Sequence, residues 1–361
     1  MICCNVPAAD GARHAGGPSV DSQMLKEARQ QLRLSQVELK DILNRRMGRA
    51  YDKSKVSRWE NGREPIPREV AVEIAAIAQA RPANARILAF ANQKGGVGKT
   101  TSALNVAASL AALGRRVLVI DMDPQATATA AVLAGGGVEA YRQGRTTAHV
   151  ILNGRPLAEA IVHAGDALAD TAGQGRVIPF DLVASHIELS DTDGRREPGF
   201  DAALREAVAP IRSSYDWIVL DSPPNLGMLT WMTLAAATEV IVPVRTEPYD
   251  AMGVGLILAT ANKVQRRLNP DLRIIGVLPT QFSQRRAVDR EVLSHLSQAM
   301  LERVPLLEPI PASAAFGHAA RDGRIAVPAS HGQSGAAAGA AYLRLAEALS
   351  DGRPLPRAEV S

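Results

Sequence analysis

The chain has 361 residues, of which 46 % are apolar and 22 % charged, with a formal net charge of +4. That profile suits a soluble globular protein of two domains, or one large domain with an appendage, and no apolar run approaches the ~20 residues a membrane helix needs. Its two cysteines, Cys3 and Cys4, are adjacent, which argues against a disulfide framework or structural zinc and fits a reducing cytoplasm.

Residues 1–20 lack the basic start and apolar core of a secretory signal and read as a disordered tail. From 21 to 80 the pattern is helical: "MLKEARQQLRL", "SQVELKDILNRR" and "REVAVEIAAIAQA" carry apolar residues at three-to-four spacing. Ser35 is a candidate N-cap whose capping box Glu38 completes, and Leu39, Ile42, Leu43, Val56 and Trp59 should face a small core. The run "LRLSQVELKDIL…KVSRWENGREPIP" resembles the helix-turn-helix of Cro/C1-like repressors, with about six extra residues inside "NRRMGRAY". The resemblance implies a DNA-binding domain. Its second helix would offer Lys53, Ser54, Lys55, Ser57, Arg58 and Asn61 to phosphates and base edges, and Gln36 would reach a phosphate. A helical bundle for protein contacts carries the same periodicity. The basic residues of 45–58 likewise suit a solvated face as well as a nucleic-acid surface.

Residues 81–86 form a linker. Beyond it, "RILAFAN", "RVLVID", "DWIVLD", "EVIVPV" and "RIIGVLPT" read as buried strands of a parallel sheet. Helical stretches at 99–113, 200–212, 226–237, 251–268 and 287–302 lie between and after them. The alternation predicts a doubly wound, mostly parallel α/β domain over residues 87–350, closed by a helix in the alanine-rich segment 336–349. "VLAGGGVEA" and "GHAARDGRIAVPASHGQSGAAAG" read as loops, and residues 351–361 as a C-terminal tail.

"QKGGVGKT" follows a strand and opens a helix, the setting a phosphate-binding loop requires. Gly95, Gly96 and Gly98, with Val97, let the backbone aim N–H groups at phosphate oxygens, and the helix N-terminus adds positive potential. Lys99 reaches the β- and γ-phosphates, the Thr100 hydroxyl suits Mg²⁺, and Thr101 completes the nucleotide-binding run. Gln93 replaces the usual first glycine.

The spacing K-G-G-V-G-K-T-T resembles the deviant Walker A motif of the ParA/MinD family of ATPases. "RRVLVIDMDPQATAT" is similar to the family's second motif, "YDWIVLDSPPNLG" to its Walker B segment, and "AYLRLAEAL" to its last helix. D-x-D-P-Q points to the ParA branch. The resemblance implies a weak, partner-stimulated ATP hydrolase using Mg²⁺. Lys94 would cross a dimer interface to the partner's phosphates, the simpler role being contact with its own. Asp123 would position the attacking water. Asp221 would hold Mg²⁺ through water, and Asp121 would support it. The family's late basic segment is reduced here to "PIPASAAFGH", with Ala312 and Ala315 where arginines are common. Arg285 and Arg286 lie where the family places a DNA-binding arginine, and equally where a solvated helix begins. Together these imply a cytoplasmic, nucleoid-associated homodimer with a ParB-like partner, bound to DNA and not to membrane. It would segregate a plasmid or chromosome and autoregulate its operon. An ATP-sensing transcription regulator and a positioning ATPase for non-DNA cargo share most of these residues.

Overall fold

Strand side chains alternate between two buried faces, and that alternation fixes the larger architecture. Leu88 and Phe90 of β1 (Arg86–Phe90) join the core on one side, while Ile87 and Ala89 join the core on the other. In β2 (Val117–Asp121) the same split separates Val117 and Val119 from Leu118 and Ile120. A strand apolar on both faces must be covered on both. With β3 (Asp181–Val183), β4 (Trp217–Asp221), β5 (Glu239–Arg245) and β6 (Arg273–Thr280), these strands form one six-stranded sheet in the order β3-β2-β4-β1-β5-β6, every pairing parallel.

This is a computed structural model, and it describes residues 22–31, 34–79, 84–133, 135–164, 166, 179–195, 197–300, 304–314, 316 and 336–359. The chain divides into two units, residues 1–80 and 81–361. The expected tail 1–20, the heart of the linker and most of the expected loop "GHAARDGRIAVPASHGQSGAAAG" lie outside the described residues.

The first unit contains α1 (Ser22–Gln31), α2 (Gln36–Met47), α3 (Lys53–Glu60) and α4 (Arg68–Gln79). Leu39, Ile42, Leu43, Val56 and Trp59 are buried together with Leu25, Val70 and Ile74, and Tyr51 meets Trp59 edge-on at 5.1 Å. Ser35 caps α2 with a full capping box: its hydroxyl accepts from Glu38 N–H and the Glu38 carboxylate accepts from Ser35 N–H. The extra residues of "NRRMGRAY" lengthen α2 to Met47, where Gly48 (φ 62°) ends it. The Asn44 amide then clamps the turn, donating to Tyr51 O at 2.9 Å and accepting from Tyr51 N–H at 2.6 Å. Ser35→Ala is expected to destabilise this unit by about 1 kcal/mol, read as faster amide exchange in α2 of the full-length chain with ATP turnover unchanged.

In the second unit α5 (Lys99–Ala112) follows the candidate phosphate loop. It packs on one sheet face with the closing helix Ala336–Asp351, and the Ser102 and Tyr342 hydroxyls meet at 2.9 Å. The opposite face is covered by helices that include residues 147–153, 203–208, 228–236, 248–267 and 287–300.

Three expectations differ from the structure. "VLAGGGVEA" is largely helical, with helices at 127–133 and 136–142. Gly137 allows their close approach, since a Cβ there would lie 3.0 Å from Thr129 Cγ2. The stretch 200–212 is a 3₁₀ turn, a short α-helix and a second 3₁₀ turn holding Pro210, whose missing N–H interrupts the ladder. Residues 356–358 are bonded into the second unit: Glu308 N–H donates to Pro356 O and Ala358 N–H to Leu306 O.

Candidate nucleotide site

The loop 91–98 leaves the carboxyl end of β1, between β4 and β5, where the chain's crossovers change direction. That is the crevice where open α/β sheets bind ligands. Gly96 and Gly98 have φ of 72° and 87°, which side-chain-bearing residues rarely adopt. Asn92 secures the loop's entry, its amide donating to Pro243 O at 2.7 Å and its oxygen accepting from Lys94 N–H at 3.2 Å. The buried Lys99 ammonium donates to Lys94 O at 2.9 Å. Burial pushes the Lys99 pKa down, against the charges of Asp221 and Asp123. The N–H groups of Val97 and Gly98 meet no acceptor among the described residues.

Three carboxylates gather at the ends of β2 and β4, where Asp121 and Asp221 are paired in register. Asp221 is completely buried, and neither oxygen has a formed hydrogen bond among the described residues. Burial first, and the Asp121 charge second, raise its pKa well above the carboxylate range; the nearby Thr100 hydroxyl and Lys99 oppose the rise. A desolvated, unpartnered carboxylate beside a hydroxyl is a strong demand for a cation.

Asp123 is nearly buried, with Oδ1 accepting from Gln125 N–H at 3.0 Å. Asp121, expected to support the metal, is engaged by protein donors. Its Oδ1 accepts from Asp123 N–H, and its Oδ2 accepts from both Thr129 N–H and the Thr129 hydroxyl. It therefore anchors the turn that carries Asp123. Burial raises its pKa to about 6 in spite of those bonds.

The expected DNA-contacting residues are less uniformly available than their spacing implies. The Gln36 amide donates to the buried Glu60, which also takes the Arg29 guanidinium. Lys55 and Arg58 both pair with Glu64 and hold its carboxyl below the usual range. Asn61 donates to Ser57 O and faces the Ser57 hydroxyl. Lys53 and Ser54 are exposed without a side-chain partner among the described residues. In the second unit Arg285 and Arg286 are exposed just before the helix 287–300, Arg286 lying 3.6 Å from Asp289. Ala312 N–H donates to Phe282 O, so the arginine-poor segment runs beside the loop carrying those arginines. Ala315 lies outside the described residues.

A cavity of about 510 Å³ sits at the opposite end of the sheet, among Arg86, Glu239, Arg273, Arg353 and Arg357. There the fully buried Glu239 takes both Arg86 and Arg273. It is remote from the loop and its carboxylates. Two neighbours of the loop escaped sequence reasoning: Thr280 and Gln281, at the end of β6, donate to Val97 O and Gly96 O. Periodicity shows only that a strand ends there.

A glycine loop with free N–H groups, a buried lysine and an unpartnered carboxylate define a P-loop nucleotide site. Residues 85–274 match the family described as "AAA domain". The chain is 42 % identical to the chromosome-partitioning ATPase Soj of Thermus thermophilus over 224 residues, covering 62 % of this chain and 80 % of that protein. It is 38 % identical to the chromosome partitioning protein ParA of Myxococcus xanthus over 213 residues, 58 % of this chain and 70 % of that one. A cobyrinic acid a,c-diamide synthase structure from Mycobacterium smegmatis, with bound ADP and magnesium, is 31 % identical at a TM-score of 0.61, over 76 % of this chain and 99 % of that one. The chain belongs to the ParA/MinD family of P-loop ATPases, in its partition branch. It is an ATP hydrolase that uses Mg²⁺.

The residues present fit that pair. The N–H groups of Val97 and Gly98 and the Lys99 ammonium suit phosphate oxygens; Thr100 and Asp221 suit the cation, which neutralises phosphate charge when bound. ATP with Mg²⁺ at about 100 times its dissociation constant should stabilise the folded unit by about 2.7 kcal/mol. EDTA should remove most of the accompanying thermal shift, and Asp221→Asn should abolish its dependence on magnesium.

Proposed function

We propose that this chain is a partition ATPase that couples ATP to DNA binding and segregates a plasmid or chromosome. The observation that carries the reading is the orphaned Asp221 carboxylate beside Lys99, under a loop that holds a second lysine, Lys94. The Soj and ParA relatives, whose names are those of partition proteins, support it. In the proposed cycle ATP closes a homodimer, each protomer lending Lys94 to the other's phosphates. The dimer then binds DNA non-specifically through Arg285 and Arg286. Asp123 orients the attacking water, and a ParB-like protein on a centromere-like site accelerates hydrolysis and release. The protein works in the cytoplasm, on the nucleoid. The first unit binds a specific operator and represses the protein's own operon, with Lys53 and Ser54 free to contact phosphates and Lys55 and Arg58 released from Glu64 on docking.

The test is ATP turnover and DNA retention, measured for the full chain with and without duplex DNA and the host's ParB-like protein. ATP-dependent DNA retention and a turnover rise with both additions are expected. A chain that hydrolyses ATP but ignores DNA would leave the non-DNA cargo reading standing instead. The double substitution Arg285→Ala, Arg286→Ala should weaken binding to all sequences alike. It should also flatten the dependence of log affinity on log salt by about 1.8, since each phosphate contact contributes about 0.9. Glu64→Gln should instead strengthen operator binding, because it releases two cations that the bound DNA must otherwise win from a carboxylate.

A further inference from the structure

We propose that Thr280 and Gln281 are positioning residues for nucleotide binding: from outside the phosphate loop they fix the direction of its Val97 and Gly98 N–H groups. The inference rests on the nucleotide-site reading and adds residues that the loop motif does not contain.

Peptide planarity ties each N–H group to the carbonyl before it. In a trans peptide the C=O of one residue and the N–H of the next point in opposite directions, and no cis peptide bond occurs among the described residues. Whatever grips a carbonyl therefore aims the following N–H away from itself. The Gln281 amide donates to Gly96 O at 3.0 Å, so the Val97 N–H points away from β6. The Thr280 hydroxyl donates to Val97 O at 2.8 Å, with Val244 O at 3.2 Å, so the Gly98 N–H also points away. Neither of these two N–H groups has an acceptor among the described residues. Left ungripped, either peptide plane could flip and present a carbonyl to a phosphate, turning attraction into repulsion.

The contact is built into the backbone on both sides. Gln281 has φ of 54°, one of two non-glycine residues in the left-handed region among those described; such a conformation persists where its surroundings hold it. Gly98 has no Cβ, and one placed there would lie 3.4 Å from Thr280 Cγ2. Thr280 is buried, whereas Gln281 is exposed. The two substitutions thus differ in their risk to the fold.

The experiment uses the full-length protein and four forms: wild type, Thr280→Val, Thr280→Ser and Gln281→Ala. Affinity for a non-hydrolysable ATP analogue with Mg²⁺ is measured by calorimetry, alongside KM, kcat and the thermal midpoint without nucleotide. Thr280→Val and Gln281→Ala should each weaken analogue binding roughly three- to tenfold, the scale of one neutral hydrogen bond. KM should rise in parallel and kcat should stay within about twofold, because the N–H groups grip substrate and transition state alike. Thr280→Ser, which keeps the hydroxyl, should bind as wild type does. A merely structural role would lower kcat, through lost active protein, at unchanged KM. Unchanged affinity in Gln281→Ala, or Thr280→Ser as impaired as Thr280→Val, would overturn the proposal. Failure of the wild type itself to bind the analogue would instead overturn the nucleotide-site reading.

Discussion

Asp123→Ala is expected to bind ATP about as well as the wild type and to hydrolyse it roughly 10²–10⁴ times more slowly, the range for losing a positioned acid–base group. The separation follows from where Asp123 sits. It belongs to the turn after β2, outside the glycine loop, and Lys99 and the loop N–H groups remain when its carboxylate is removed. Its Oδ1 is engaged by Gln125 N–H, leaving Oδ2 for the attacking water. The same turn is pinned independently, by Asp121 through Thr129 and through the Asp123 N–H. Asp123→Asn keeps an oxygen for Gln125 and loses the charge. If it is as slow as Asp123→Ala, the carboxylate acts on water and not on the turn. Single-turnover hydrolysis and analogue affinity decide the matter; full turnover by either variant would remove Asp123 from the reaction.

Lys94→Ala should leave monomeric ATP binding nearly intact and abolish ATP-dependent dimers in sedimentation. The backbone of residue 94 contributes to the loop in two ways that survive the substitution: its N–H is held by Asn92 and its carbonyl takes the Lys99 ammonium. Only the side chain is lost, and in a two-fold dimer it is lost twice. Truncating one partner of a buried interfacial charge contact costs about 2–5 kcal/mol. Two such losses raise the dimer dissociation constant about a thousandfold or more. An unchanged sedimentation profile with ATP would show that Lys94 serves its own protomer's phosphates.

Reading the sequence recovered what repeats locally. Five of the six strands announced themselves as apolar runs, because the interior of a strand buried on both faces is mostly apolar. The exception, β3, has three residues, too few to establish a period. The capping box at Ser35 and the core of the first unit were legible because a cap and a helical face are each written within about one turn. The glycine run 135–137 misled, since a close helix–helix approach and a loop both ask for glycine.

The sequence by itself determined the P-loop ATPase domain, its lysines, and the aspartates that close its strands, because each is defined by neighbours a few residues away. Only the tertiary structure decided which carboxylate is orphaned and which is spent: Asp221 and Asp121 end their strands alike, yet Thr129 satisfies one, while the other has no formed hydrogen bond among the described residues. Likewise it alone brought Thr280 and Gln281 against a loop more than 180 residues earlier. Hydrogen bonds of that span depend on strand order, and strand order is set by how whole faces pack, which no local pattern records.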